Sequence, residues 1–193
     1  MKNVIKISLL ALMLVSGSVK AADELDVKVS QKKAITIELN NLSSSSVLLF
    51  QDKDGNILFR DSLELNGHYK KTLDLEVIPN GVYSISLEGE RSVMSKQVVK
   101  THAGLELTNA PAGILFKPCF EVKEKQVTVF LTNPGKKTIY FDVYDAQGIK
   151  VSTLTRREAV IQKRLDFSQV PSGTYTIKVR VGGRIFIEEF DLG

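Results

Sequence analysis

The chain is 193 residues long, carries a formal net charge of +4, and holds one cysteine and no tryptophan. One cysteine excludes an intrachain disulfide framework, so apolar packing alone must hold the fold. The basic excess is concentrated in the first 21 residues, which carry Lys2, Lys6 and Lys20 and no acid; without them the balance is near +1. Nucleic acid is therefore not an expected partner.

Residues 1–21 read as a secretory signal peptide. Lys2 and Lys6 form a positive start, Ile7 to Val15 an apolar stretch, and Val19-Lys20-Ala21 a small-residue cleavage site. The apolar stretch is about half of the roughly 20 residues that span a bilayer. No membrane span is expected in the mature chain, and the expected location is extracytoplasmic: periplasm, cell surface or medium.

Beyond the leader the chain repeats itself. At a shift of 92, Leu73-Asp74-Leu75 falls on Leu165-Asp166-Phe167, and Pro79, Gly81 and Tyr83 fall on Pro171, Gly173 and Tyr175. Ile35-Thr36-Ile37 falls on Val127-Thr128-Val129 and Asn41 on Asn133; at 93, Asp52 and Gly55 fall on Asp145 and Gly148. This is a duplicated domain. The expected division is a first copy at 22–101, a linker at 102–112 and a second copy at 113–193.

Each copy reads as β throughout. A leading strand near Leu25–Val29 is followed by Ile35/Ile37/Leu39, which alternate with period two. "DKDGN" then predicts a hairpin turn at Asp52 and Gly55. Asp74 sits between two leucines, where alternation turns it outward to accept backbone N–H bonds before "PNG". In that turn Pro79 presets φ, Gly81 is expected at positive φ, and a strand opens at Tyr83. "THAGLELTNAPAG" gathers turn-forming residues around Leu105 and Leu107, which are expected to form a bridging strand.

The second copy follows the same order. A leading strand is expected over Ile114–Val122, with Cys119 inside it as a buried, inert thiol. Val127/Val129/Leu131 and Ile139/Phe141/Val143 alternate, and Asp145 and Gly148 repeat the hairpin turn. Pro171, Gly173 and Tyr175 repeat the tight turn, again with Gly173 at positive φ. About seven short strands per copy predict an all-β fold of two tandem immunoglobulin-like β-sandwich domains.

"YFDVYDAQGIKV" and "LDFSQVPSGTYTIKVRVGGRIFIEEF" are similar to the C-terminal sorting domains of the Bacteroidetes type IX secretion system. The matching positions are Tyr144, Asp145, Gly148, Leu165, Asp166, Phe167, Pro171, Gly173 and Tyr175. The resemblance covers Lys117 to Gly193, and the first copy is a weaker version. It implies a β-sandwich that a secretion apparatus recognises.

Chemistry has little to stand on. Only Asp52, Asp54 and Asn56 cluster in "DKDGN", short of the ligand set a calcium loop needs, and Asp145-Ala146-Gln147 lacks even these. His68 and His102 lie 34 residues apart in polar contexts, and no nucleophile elbow or metal-binding His/Cys pattern occurs. No catalytic residue, metal or cofactor is expected.

One aromatic feature does suggest a surface. With Ile139, Phe141 and Val143 inward, Tyr140, Asp142 and Tyr144 face outward, and a paired strand is expected to add Phe130. The reading is a non-enzymatic interaction protein of the envelope that binds a partner protein there or in the secretion apparatus. One alternative makes the second copy a sorting signal. Another makes the tyrosines a glycan-binding platform.

Overall fold

The structure, a computed structural model, describes residues 24–31, 33–40, 42, 44–64, 68–108 and 113–193. The signal-peptide reading and Asn41 lie outside the described residues. Every regular element among those described is a strand, and all pairings are antiparallel.

Seven strands build the first sandwich: β1 (Glu24–Gln31), β2 (Ala34–Asn40), β3 (Ser46–Gln51), β4 (Ile57–Leu63), β5 (Tyr69–Asp74), β6 (Gly81–Glu88) and β7 (Ser92–Thr101). β8 (Gly104–Leu107) and β9 (Gly113–Phe116) follow. The second sandwich contains β10 (Cys119–Lys123), β11 (Gln126–Thr132), β12 (Ile139–Tyr144), β13 (Lys150–Arg156), β14 (Val160–Asp166), β15 (Gly173–Val181) and β16 (Arg184–Leu192). The sheet orders correspond: β1-β2-β5 and β10-β11-β14 on one side, β4-β3-β6-β7 and β13-β12-β15-β16 on the other.

Alternation decides what each sheet buries. Ile35, Ile37 and Leu39 of β2 meet Leu48 and Phe50 of β3 and Ile85 and Leu87 of β6 in one core. Val127, Val129 and Leu131 of β11 meet Ile139, Phe141 and Val143 of β12 and Ile177 and Val179 of β15 in the other.

The repeated phrase has a common physical basis. The Tyr83 hydroxyl donates to the Pro79 carbonyl at 2.6 Å, and Tyr175 to Pro171 at 3.0 Å. Both rings are buried, so each hydroxyl ties the turn to the strand that follows, as in the tyrosine corner of immunoglobulin-like domains. Asp74 and Asp166 each accept the N–H two residues on, from Glu76 and Ser168. Leu75 and Phe167 each donate to a backbone carbonyl, of Lys33 and Lys125, at 2.8 Å. The glycines differ. Gly173 has φ +152, whereas Gly81 is not at positive φ. The tyrosine hydrogen bond, rather than a shared glycine conformation, is the feature the two turns hold in common.

Two sequence expectations change at the junction, while the strand expected at Leu105 and Leu107 is present as β8, which pairs with Val98–Thr101 and sends Leu105 into the first core. The expected Ile114–Val122 strand is two strands, because Pro118 has no N–H to continue a ladder. Its first part, β9, pairs with Ser92–Ser95 of β7, while Leu115 and Phe116 pack on the second core. Cys119 is exposed rather than buried; it opens β10 opposite Phe130, on the side of that sheet away from the core.

A side-chain contact closes the joint. Arg184 in the second sandwich donates to Glu88 in the first at 2.5 Å. The β15–β16 turn packs beside it, where a Cβ on Gly182 would lie 3.4 Å from Leu115.

The first sandwich also buries a charge. Lys100 is 8% exposed, and its ammonium donates to the carbonyls of Leu75, Glu76 and Ile78 at 2.5, 2.8 and 2.5 Å. The equivalent residue in the second sandwich is Leu192, in a core where Phe167, Tyr175 and Phe190 pack ring against ring.

Lys100→Met is expected to cost about 2–3 kcal/mol, the desolvation penalty of buried acceptors left without a donor, measured by urea denaturation. Gly173→Val is expected to cost about 1–3 kcal/mol through backbone strain. Gly81→Val should cost less, since a Cβ there would make only ordinary contact with the Tyr83 ring, at 3.8 Å. Equal losses at the two glycines would refute the assigned difference between the turns.

Candidate functional site

β12 lies in the middle of its sheet, with β13 on one side and β15 on the other. Register therefore sets which side chains share its outer face. Tyr140 stands between Thr155 and Arg180, Asp142 between Thr153 and Lys178, and Tyr144 between Lys150 and Thr176.

Asp142 is 1% exposed despite lying on this outer face. Its carboxylate accepts from Thr153 Oγ1 at 2.7 Å, from Arg180 Nη2 at 2.8 Å and Nε at 3.0 Å, and from Lys150 Nζ at 3.1 Å. Burial pushes this carboxyl upward, but hydrogen bonds from Thr153, Lys150 and Arg180 outweigh it and hold the group below its ordinary value. The sequence reading placed Asp142 among exposed ligand-facing residues. Long basic side chains from both neighbouring strands fold over it instead, burying it beneath their aliphatic stems.

The same cations cover the tyrosines. The Arg180 guanidinium lies 4.8 Å from the Tyr140 ring centre, and Lys178 and Lys150 lie 4.6 and 5.7 Å from that of Tyr144. Tyr140 is 40% exposed. The surface is thus a ladder of cations and rings with Asp142 as its anionic pin. The Tyr144 ring is held by the Lys150 and Lys178 ammonium groups. Two cations, Lys150 and Arg180, contact the buried carboxylate, and Lys178 lies over Tyr144.

Phe130 does not join this face. It belongs to β11, in the opposite sheet, opposite Cys119 and Gln162. The expectation that β11 and β12 pair as neighbours fails because the chain crosses between sheets over Asn133–Lys137. Asn133 is buried there; it donates to the Lys137 and Glu158 carbonyls and accepts the Lys137 N–H.

The hairpin-turn residues have a backbone role. Asp52 accepts the N–H groups of Asp54 and Asn56, and Asp145 those of Gln147 and Ile149, all at 2.9–3.0 Å. Gly55 and Gly148 take φ +86 and +74. The Asn56 side-chain amide donates to Asp52 and lowers its carboxyl pKa. Among the described residues no group of three or more His, Cys, Asp or Glu is placed to hold a metal ion. The structure adds Lys150, Thr153, Lys178 and Arg180 to the surface, residues the sequence reading did not select. Their signal was the alternation of β13 and β15, legible only once the register with β12 is known.

The secretion system C-terminal sorting domain family matches over residues 21–101 and again over 123–190. The chain belongs to this family. Each sandwich corresponds to one of the two matches, and the cation–tyrosine ladder lies within the second. No curated protein matches the chain. Among solved structures it is similar to a two-domain fibronectin type III segment of chicken tenascin, at 12% identity and TM-score 0.33, covering 88% of this chain and 98% of that one. Chicken CNTN1 domains FN1–FN3 give 10% identity and TM-score 0.32, covering 89% and 65%. The BSP domain of a biofilm-associated protein gives 10% identity and TM-score 0.30; this chain covers 29% of that one, with 88% of its own length.

The Asp142 network makes a pH prediction. A carboxyl held low in the folded state stabilises fully above its unfolded value, near 3.8, and loses that contribution as pH falls through the folded value. Asp142→Asn is therefore expected to lower stability by about 1–2 kcal/mol at neutral pH, with a gap that closes between about pH 4 and the acid limit. Melting curves from pH 7 downward check this; a gap independent of pH would show that the carboxylate charge plays no part.

Proposed function

We propose that the second sandwich, residues 113–193, is an export signal read by the type IX secretion apparatus, and that the chain is a non-enzymatic protein acting outside the cytoplasm. The observation that carries this reading is the family match over 123–190, with Pro171, Gly173 and Tyr175 forming the hydrogen-bonded turn. The division into two folding units, expected at 22–101 and 113–193, is part of the proposal; two separate cores support it, with Leu105 beyond the first boundary joining the first core. Among the described residues no helix is long and apolar enough to cross a membrane.

A protein partner is favoured over a glycan because the ladder's rings are stacked with cations. On this reading the apparatus meets the second sandwich at Tyr140, Lys178 and Arg180. The first sandwich has Val47, Ser86 and Glu88 at the corresponding positions, and Glu88 is occupied by Arg184.

The test is a reporter carrying a signal peptide and followed by residues 22–193, expressed in a type IX-competent host and in a strain lacking the translocon. Surface or medium delivery is expected only in the competent host. Lys178→Glu with Arg180→Glu is expected to leave the reporter in the periplasm. Retention of the unaltered fusion in the periplasm of the competent host would overturn the sorting reading.

A further inference from the structure

The two sandwiches treat one edge differently. In the first, the outer edge of β7 is covered along its length: β9 pairs with Ser92–Ser95 and β8 with Val98–Thr101. Lys117 N–H adds a bond to the Arg91 carbonyl and Thr108 N–H one to Gln97. The corresponding strand of the second sandwich, β16, pairs among the described residues with β15 alone.

β16 carries charged residues but lacks two other devices that protect an open edge. It is nine residues long, "RIFIEEFDL", with no lysine or proline. Its outer-face residues Ile185 and Ile187 are 58% and 59% exposed. The Gly182-Gly183 turn pairs Val181 with Arg184, so the main-chain groups of Arg184 and Phe186 point to β15. Those of Ile185, Ile187 and Glu189 then point to the open edge. The covered edge of β7 has the same parity, bonding through Arg91 and Gln97.

We propose that this edge pairs with the same edge of a second molecule, antiparallel about a two-fold axis at Phe186, joining two four-stranded sheets into one. The sequence of β16 is complementary to itself in that register. Ile185 lies opposite Ile187 of the second molecule, and Ile187 opposite Ile185, with the main-chain groups of each pair facing each other. On the other face Arg184 meets Glu188 of the second molecule, and the two Phe186 side chains meet at the axis. Opposite charges and matched apolar pairs across strands are favourable. A closed two-fold contact uses up both edges. Arg184 already holds Glu88, and its five donors accommodate a second carboxylate. Shifting the axis by two residues to Glu188 sets like charges face to face, which disfavours that register. The proposal is independent of the export reading, since it concerns the purified chain.

Sedimentation of residues 22–193 over a wide concentration range tests it. The expected result is a reversible shift from one-chain to two-chain mass. Ile187→Lys should remain one-chain at concentrations where the unaltered protein is dimeric, and should melt at the temperature the unaltered protein shows in its one-chain range, because the side chain is exposed. A Cys119→Ser, Phe186→Cys variant should form an interchain disulfide on mild oxidation, since facing Cα atoms in such a pair lie within disulfide range. The same background with Cys at Asp191 should not. One-chain mass at every concentration, or dimers that survive Ile187→Lys, would overturn the proposal.

Discussion

The strand Gly113–Phe116 belongs to one sandwich by its backbone and, through Leu115 and Phe116, to the other by its side chains. Its ladder runs along β7, and Leu115 and Phe116 pack on the second core. With one cysteine in the chain, no covalent bridge ties the sandwiches, so this strand and the Arg184–Glu88 contact form the joint between them. A flexible tether would leave two independent bodies. A strand shared in this way resists separation, because pulling the sandwiches apart exposes apolar surface on one side and unpaired main-chain groups on the other.

The duplication shows which interactions both copies retain and which differ. The tyrosine-to-proline-carbonyl bond, the aspartate that caps each hairpin turn and the aspartate before each proline turn occur in both. All are hydrogen bonds at points where the chain changes direction, and each satisfies a group that burial or turning would otherwise leave unpaired. The surfaces differ. Where the second sandwich has Tyr140, Asp142, Lys178 and Arg180, the first has Val47, Leu49, Ser86 and Glu88. Leu49 and Ser86 are buried there, and Glu88 receives Arg184. One face is part of the joint, and on the other Tyr140 is exposed.

Much of this was legible in the residues. Alternation in Ile35/Ile37/Leu39 and Ile139/Phe141/Val143 marks core strands because a pleated strand sends successive side chains to opposite faces. The 92-residue shift and the motif around Tyr175 pointed to the duplicated sandwich and its family. Sheet membership was not legible. β11 and β12 are consecutive and equally amphipathic, yet they lie in different sheets, because the Asn133 turn carries the chain across; Phe130 and Tyr140 consequently face different ways. Asp142 reads as exposed from periodicity, which knows nothing of cross-strand neighbours. Its burial follows from Lys150 and Arg180, which lie 8 and 38 positions away in sequence. Cys119 looks buried within an apolar run, but it stands on the outer side of an edge strand.

The shared strand also bears on the order in which the molecule is completed. A chain made from its N-terminus forms domains as their residues emerge. Leu105 supplies the last described residue of the first core, but the edge of β7 is not fully bonded until Phe116 has appeared. Until then the nascent first sandwich presents an open β edge to whatever stands near it. Emergence of the joint closes that edge and, in the same step, delivers Leu115 and Phe116 as the platform on which the second core assembles. The strand that completes the first sheet thus also carries the first contacts of the second core, and the bare edge lasts only until that short stretch of chain has emerged.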